Sequence, residues 1–261
     1  MNKYLFEMVG KRKSIRKFKE TALGDNAINE IKMIISNLEP LYENIKFHIQ
    51  IIGDKDSKSG IFNVKSPQYI AAFSENKEGY LENMGYLLQQ LDLALAFYGY
   101  GACWLGMMKT KNNIEAPKSM NFVIGMAFGI PDENLLRKSG NEFIRRKLSE
   151  ITDIGKLEGN TLFLEMMEAG RISPSASNSQ PWYFLKEDGK LIVYRFKLNP
   201  IKLLVYNKMN QIDMGIALCH IRLAAEKNNW EIKYYKEDGD KYIKPLGYEY
   251  FITGELSENN G

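Results

Sequence analysis

The chain has 261 residues, 44% of them apolar, and a net charge of +3. That length buries a real core, as one large domain or two fused small ones, and so balanced a charge argues against nucleic acid or an anionic membrane as the main partner. Cys103 and Cys219 make no disulfide framework, and His48 and His220 leave almost nothing for a His-rich metal site. The cysteines have apolar neighbours and read as small buried hydrophobes in a reducing compartment. The N-terminus is charged within its first turns and lacks an apolar run with a small-residue cleavage site. No signal peptide is read, and a soluble, cytoplasmic protein is expected.

In chain order, Asn2 to Val9 reads as a helix ended by Gly10. Asp25 to Asn37 reads as a second, with Ile28, Ile31, Ile34 and Ile35 at helical spacing behind Asp25 as cap. Phe47 to Ile52 is a strand closed by Gly53-Asp54, and Tyr69 to Phe73 is another. A long helix spans about Asn83 to Tyr98 and stops at Gly99. The apolar run Leu87 to Met108 carries Gln89, Gln90 and Asp92 and is read as a core helix, not a membrane span. Asn121 to Ile130 is a strand closed by Pro131-Asp132.

The second half repeats this order. Thr161 to Gly170 is a helix, Trp182 to Leu185 and Lys190 to Phe196 a hairpin through Asp188-Gly189, Asn210 to Asn228 a helix, and Trp230 to Tyr235 and Glu249 to Leu256 strands. Residues repeat too: Met84-Gly85, Leu88 and Leu93-Ala94 match Met214-Gly215, Leu218 and Leu223-Ala224 at one constant offset. Residues 1–135 are expected to form the first half and 160–261 the second, joined by a basic segment at 136–159.

Three stretches suit chemistry. In Arg12-Lys13-Ser14-Ile15-Arg16-Lys17-Phe18, extended backbone would point Arg12, Ser14 and Arg16 the same way and Lys17 away. Guanidinium forks beside a hydroxyl suit a phosphate or a polyol, although such a run also suits a nucleic-acid arm or a solvated tail. In Ser173-Pro174-Ser175-Ala176-Ser177-Asn178-Ser179-Gln180-Pro181-Trp182, small side chains let a planar ring approach the backbone, and Asn178 and Gln180 offer amides to a polar ring edge. The third, Gly99 to Gly106, follows a helix and has Trp104 where a dinucleotide fingerprint needs its third glycine. It reads as a glycine-rich bend that exposes backbone N–H groups, or as a plain helix cap and turn.

Together the three motifs resemble the nitroreductase family of FMN enzymes: Arg12-x-Ser14-x-Arg16, the Pro174 to Trp182 loop, and Gly-x-Gly-x-x-Trp-x-Gly at Gly99 to Gly106. The resemblance implies an α+β fold, a three-layer α/β/α arrangement, and an NAD(P)H-driven oxidoreductase with ping-pong turnover on nitroaromatics, quinones or similar small acceptors. It implies that Arg12, Lys13, Ser14 and Arg16 bind the FMN phosphate and pyrimidine edge, with Arg16 tuning the reduced flavin. It further implies that Pro174, Ser175, Ala176, Asn178 and Gln180 line the ring, that Leu105 and Gly106 offer amides, and that Arg145 and Arg146 form the family's second basic cluster.

The sequence departs from the family in one respect. Where the first half should carry the loop stands Ser36 to Glu43, which keeps none of its chemistry, and the second half opens with no clean basic motif. The chain is similar to a tandem, single-chain subgroup in which two half-domains mimic the family homodimer. One flavin per chain and a monomeric state are expected on that ground. A flavin-binding protein without turnover, a carrier or an interaction module, is the alternative.

Overall fold

A computed structural model of the chain describes residues 2–58, 64–111, 114–138 and 142–259. Contacts divide it into two units, one of Lys11–Glu142 and one of Met1–Gly10 with Phe143–Gly261. The sequence division had placed the first ten residues with the first half.

The Lys11–Glu142 unit holds α2 (Asp25–Ser36), β1 (Phe47–Gly53), β2 (Ser57–Lys58), β3 (Gln68–Ser74), α3 (Tyr80–Phe97), β4 (Gly101–Leu105), β5 (Lys109–Thr110) and β6 (Asn121–Gly129). Its main sheet is antiparallel in the order β1-β3-β6-β4, and β2 pairs with β5. In α2 the isoleucine stripe puts Ile31 in the core. The N-cap is Gly24 rather than Asp25, and Asp25 instead places a negative charge in the first turn, where the helix dipole favours it. Helix α3 is buried from Leu81 to Ala96, polar residues included. It is a core helix whose buried polar side chains lie among leucines, alanines and Met84. It ends where Gly99 takes φ +87°, a left-handed geometry that favours glycine. Among the described residues no helix is long and apolar enough to cross a membrane.

The other unit holds α1 (Asn2–Val9), α4 (Thr161–Arg171), β7 (Trp182–Glu187), β8 (Lys190–Phe196), α5 (Pro200–Lys227), β9 (Trp230–Tyr235) and β10 (Tyr248–Glu258). The Asn160 side chain caps α4 by accepting from the Phe163 amide at 3.0 Å. Asp188 and Gly189 both have positive φ, as a tight two-residue hairpin turn needs. Helix α5 starts ten residues before the expected Asn210, with Pro200 as its first residue, a position where a missing N–H costs nothing. Helix α1 packs on α5. The expected joining segment is partly built into this unit: Ile151 and Thr152 are buried, the Phe184 amide donates to the Ile151 carbonyl at 2.8 Å, and Thr152 bridges Phe184 in parallel.

This unit's sheet runs β7-β8-β10-β9, also antiparallel. Setting aside the two-residue strands and α1, each unit reads helix, two strands, helix, two strands, with the same sheet order.

Candidate functional site

The basic segment lies along two backbones of its own unit. The Ile15 amide donates to the Ala102 carbonyl at 2.9 Å, the Arg137 amide to Lys11 at 2.8 Å, and the Asp132 amide to Lys17 at 2.9 Å. Ile15 is fully buried against Gly101: a Cβ there would sit 2.8 Å from the isoleucine side chain. These ties override simple strand alternation. Arg12 faces inward with Ile15, Lys13 and Ser14 are half-buried, and Arg16 and Lys17 are exposed.

Arg12 is only 4% exposed and ion-paired at 2.9 Å with Asp92 of α3, itself 1% exposed. The Trp104 Nε1–H of β4 donates to the same carboxylate at 2.9 Å. Burial pushes the Asp92 carboxyl up, and Arg12 and Trp104 pull it back. Arg12 is thus committed inside the protein. On the outer side, Glu133 accepts from the Arg16 amide at 2.7 Å and the Lys17 amide at 3.1 Å, with the Lys13 ammonium 3.7 Å away. The Arg16 amide holds the Glu133 carboxyl below the usual carboxylate range. Among the described residues the Arg16 guanidinium has no hydrogen-bond or ion-pair partner, so its donors are available to a ligand.

The Gly99 to Gly106 stretch is more than a bend. After Gly99 it forms β4, an edge strand whose last ladder pair is Leu105 with Gly125. Leu105 is buried, and Gly106 is exposed just beyond the ladder.

In the other unit, the proline-serine loop is one short turn of 3-10 helix, Ala176–Asn178. Ser177, Asn178 and Gln180 all have φ near +50°, at 52°, 56° and 48°. Such geometry persists in non-glycine residues only where the surroundings over-determine it. Gln180 is buried; its amide donates to Ser175 Oγ at 3.0 Å, its Nε2 to the Asn178 carbonyl at 3.2 Å, and its Oε1 accepts from the Arg146 amide at 2.8 Å. Asn178 accepts from Arg145 at 2.8 Å and donates to the Ile144 carbonyl at 3.0 Å. Arg145 also reaches the Ser173 carbonyl at 3.0 Å, and Arg146 donates to the Tyr248 hydroxyl at 2.8 Å. Trp182, fully buried, anchors the loop's far end. The structure thus brings Arg145, Arg146, Ser175, Asn178 and Gln180 together, with the two side-chain amides spent on the protein. Pro174, Ser175 and Ala176 remain half-buried.

Sequence reasoning passed over Asp92, Glu133 and Asp213. Asp213, on α5, accepts from the Ala176 amide at 3.0 and 3.1 Å and from the Ser179 hydroxyl at 3.3 Å. Its signal was present: Asp213 precedes Met214-Gly215 as Asn83 precedes Met84-Gly85, and both are polar positions inside apolar helices.

Two antiparallel sheets with packed helices, α+β in class, define a nitroreductase-like fold. The crystal structure of a putative nitroreductase from Thermotoga maritima aligns over 98% of this chain and 94% of its own, with TM-score 0.64 and 22% identity. An FMN-dependent nitroreductase from Clostridium difficile aligns over 53% of this chain and 96% of its own, with TM-score 0.43 and 16% identity. A putative NADH dehydrogenase/NAD(P)H nitroreductase from Parabacteroides distasonis aligns over 52% and 91%, with TM-score 0.40 and 15% identity. No curated protein matches the sequence. The family model described as Putative TM nitroreductase matches residues 4–225, and the chain belongs to that family.

Proposed function

We propose that the chain is an FMN-dependent oxidoreductase that takes reducing equivalents from NAD(P)H and passes them to a small acceptor such as a nitroaromatic or a quinone. The observation that carries this reading is the loop at 174–180. It is held in left-handed backbone by bonds at both ends, yet leaves its small residues Pro174, Ser175 and Ala176 accessible. A rigid, small-residue surface suits the flat face of a ring system. The basic segment suits a phosphate: Arg16 is exposed, and Lys13 and Ser14, half-buried, precede it in the same run.

When bound, FMN supplies the hydride chemistry, and the protein supplies position and electrostatics. Lys13, Ser14 and Arg16 hold the phosphate and pyrimidine side, and the positive charge of Arg16 favours the reduced cofactor. Leu105 and Gly106, at the end of β4, present backbone amides to the ring edge. Pro174, Ser175 and Ala176 cover the ring face and exclude water. Arg12 acts on the segment through Asp92, while Asn178, Gln180, Arg145 and Arg146 hold the loop's shape.

The test is the visible spectrum of the purified protein, with chromatography of the flavin released on denaturation. FMN is expected, and NADH or NADPH is expected to bleach it. Release of FAD, or a colourless protein that refuses added FMN, overturns the proposal. Bound FMN that neither nucleotide bleaches points to a flavin carrier without turnover.

A further inference from the structure

We propose that Asp213 is a positioning residue whose ionised carboxylate clamps the 174–180 loop, making the shape of that loop dependent on pH. One of its oxygens takes the Ala176 amide, and the other takes that amide and the Ser179 hydroxyl. Asp213 is 3% exposed. Nothing in the flavin chemistry uses it.

The other unit contains the comparison. Asn83 holds the matching place on α3, and its Oδ1 accepts the Leu41 amide at 2.8 Å and the Tyr42 amide at 3.0 Å. Each unit therefore pins the loop before its first strand from the same point of its central helix. The unit without the proline-serine motif uses an amide, which cannot titrate. The unit with the motif uses an acid.

Burial pushes the Asp213 carboxyl up to about 7, against the Ala176 amide and Ser179 hydroxyl, which pull it down. Among the described residues no ion pair neutralises it. On its own helix, Lys208 is exposed, and His220 lies 3.1 Å from the Ala169 carbonyl. On α4, Glu165 is paired with Lys227 and Glu168 with Arg171. Glu7 of α1 is the described acid on that helix, and Glu231 and Lys233 of β9 are exposed. Protonation removes the negative charge and turns one acceptor oxygen into a donor, so the charge-assisted contacts to Ala176 and Ser179 weaken.

The role of the loop rests on the flavin reading; the clamp does not. The experiment therefore begins with flavin-free protein. Hydrogen exchange of the peptide spanning 174–181, corrected for intrinsic rate, is followed about one pH unit below and one above the carboxyl's titration. In the wild type, protection should rise severalfold with pH. Asp213→Asn should hold it constant, because an amide oxygen still accepts from Ala176, and Asp213→Ala should lose it at both values. Should Asp213→Ala fail to fold, wild type against Asp213→Asn decides alone. Equal pH dependence in those two, or wild-type protection in Asp213→Ala, overturns the clamp. FMN affinity is measured in parallel by fluorescence quenching. It should follow loop protection in the wild type and be flat in Asp213→Asn. A pH-dependent loop in a protein that binds no FMN overturns the flavin reading and upholds the clamp. Flavin binding beside a pH-insensitive loop does the reverse.

Discussion

Arg12 and Arg16 stand four positions apart in one basic run and have opposite fates. Arg12 meets Asp92 in the core, so Arg12→Ala leaves a buried carboxylate without its ion-pair partner, a change that costs about 3–5 kcal/mol. Arg16 is exposed, so Arg16→Ala should change stability by no more than about 0.5 kcal/mol. It should instead weaken FMN binding by about 1.5–3 kcal/mol, the value of a charge-assisted contact. Urea unfolding and FMN titration of the two variants separate the effects. Flavin affinity that falls in Arg16→Ala no more than in Lys17→Ala would remove Arg16 from the site. Asp213 gives a residue-scale prediction of the opposite kind. Its folded-state value of about 7 lies above the ordinary 3.8, so the folded protein keeps a proton that the unfolded chain has released. Against the unfolded chain, where the carboxyl is hydrated, its contribution to stability is present below about pH 4 and is lost as pH rises through about 7. Opening of the loop alone leaves the carboxyl buried and removes the Ala176 and Ser179 contacts that lower it, so for the loop the sign is reversed. Wild type should therefore lose stability relative to Asp213→Asn over that window, by a few kcal/mol at most. Urea midpoints of the pair that move together across the window would contradict this.

At the scale of elements, β4 connects the basic segment to the central helix. Ile15 lies on Gly101 and bonds to Ala102, while Trp104 reaches Asp92 from the same strand. Gly101→Ala would place a methyl 2.8 Å from the Ile15 side chain. Overpacking of that sort costs roughly 1–3 kcal/mol. Ile15→Val should recover part of the loss, and a double-mutant cycle on thermal unfolding measures it. Simple additivity would mean that the two side chains do not meet. The same argument explains why α3 tolerates so many buried polar groups. Asn83 takes two loop amides, the Gln90 side chain exchanges hydrogen bonds with the Glu39 backbone, and Asp92 takes Arg12 and Trp104. A buried polar group with partners fixes a neighbour in place, whereas one without partners costs stability.

For the whole molecule the expectation is stoichiometric. The basic segment with Arg16 stands in one unit and the proline-serine loop in the other, and neither unit has both. We expect one FMN per chain, retained by a monomer. Light scattering with flavin quantification checks this. Two FMN per chain, or flavin lost whenever a dimer dissociates, would show that each site needs a second copy.

Most elements of both units can be read from local pattern, because hydrophobic period, capping glycines and turn dipeptides act over a few residues. Asn2–Val9, Trp230–Tyr235 and the Asp188-Gly189 hairpin are cases in point. The repeat was visible in Met84-Gly85 and Met214-Gly215 because a core helix constrains its residues through packing at short range. The chemistry-bearing motifs were also legible as residue types. Their division of labour was not. Arg12 differs from Arg16 only in meeting Asp92, eighty positions along the chain. Asn178 and Gln180 look like ligand donors, yet Asn178 donates to the Ile144 carbonyl and Gln180 to the Asn178 carbonyl. Helix α5 begins at Pro200, ten residues before its clear apolar period. Local sequence determined most of the helices, strands and turns, though not β4 or the first turns of α5. The tertiary structure alone decided which charged and amide groups remain free for a ligand, since desolvation and long-range pairing depend on partners that no short window contains.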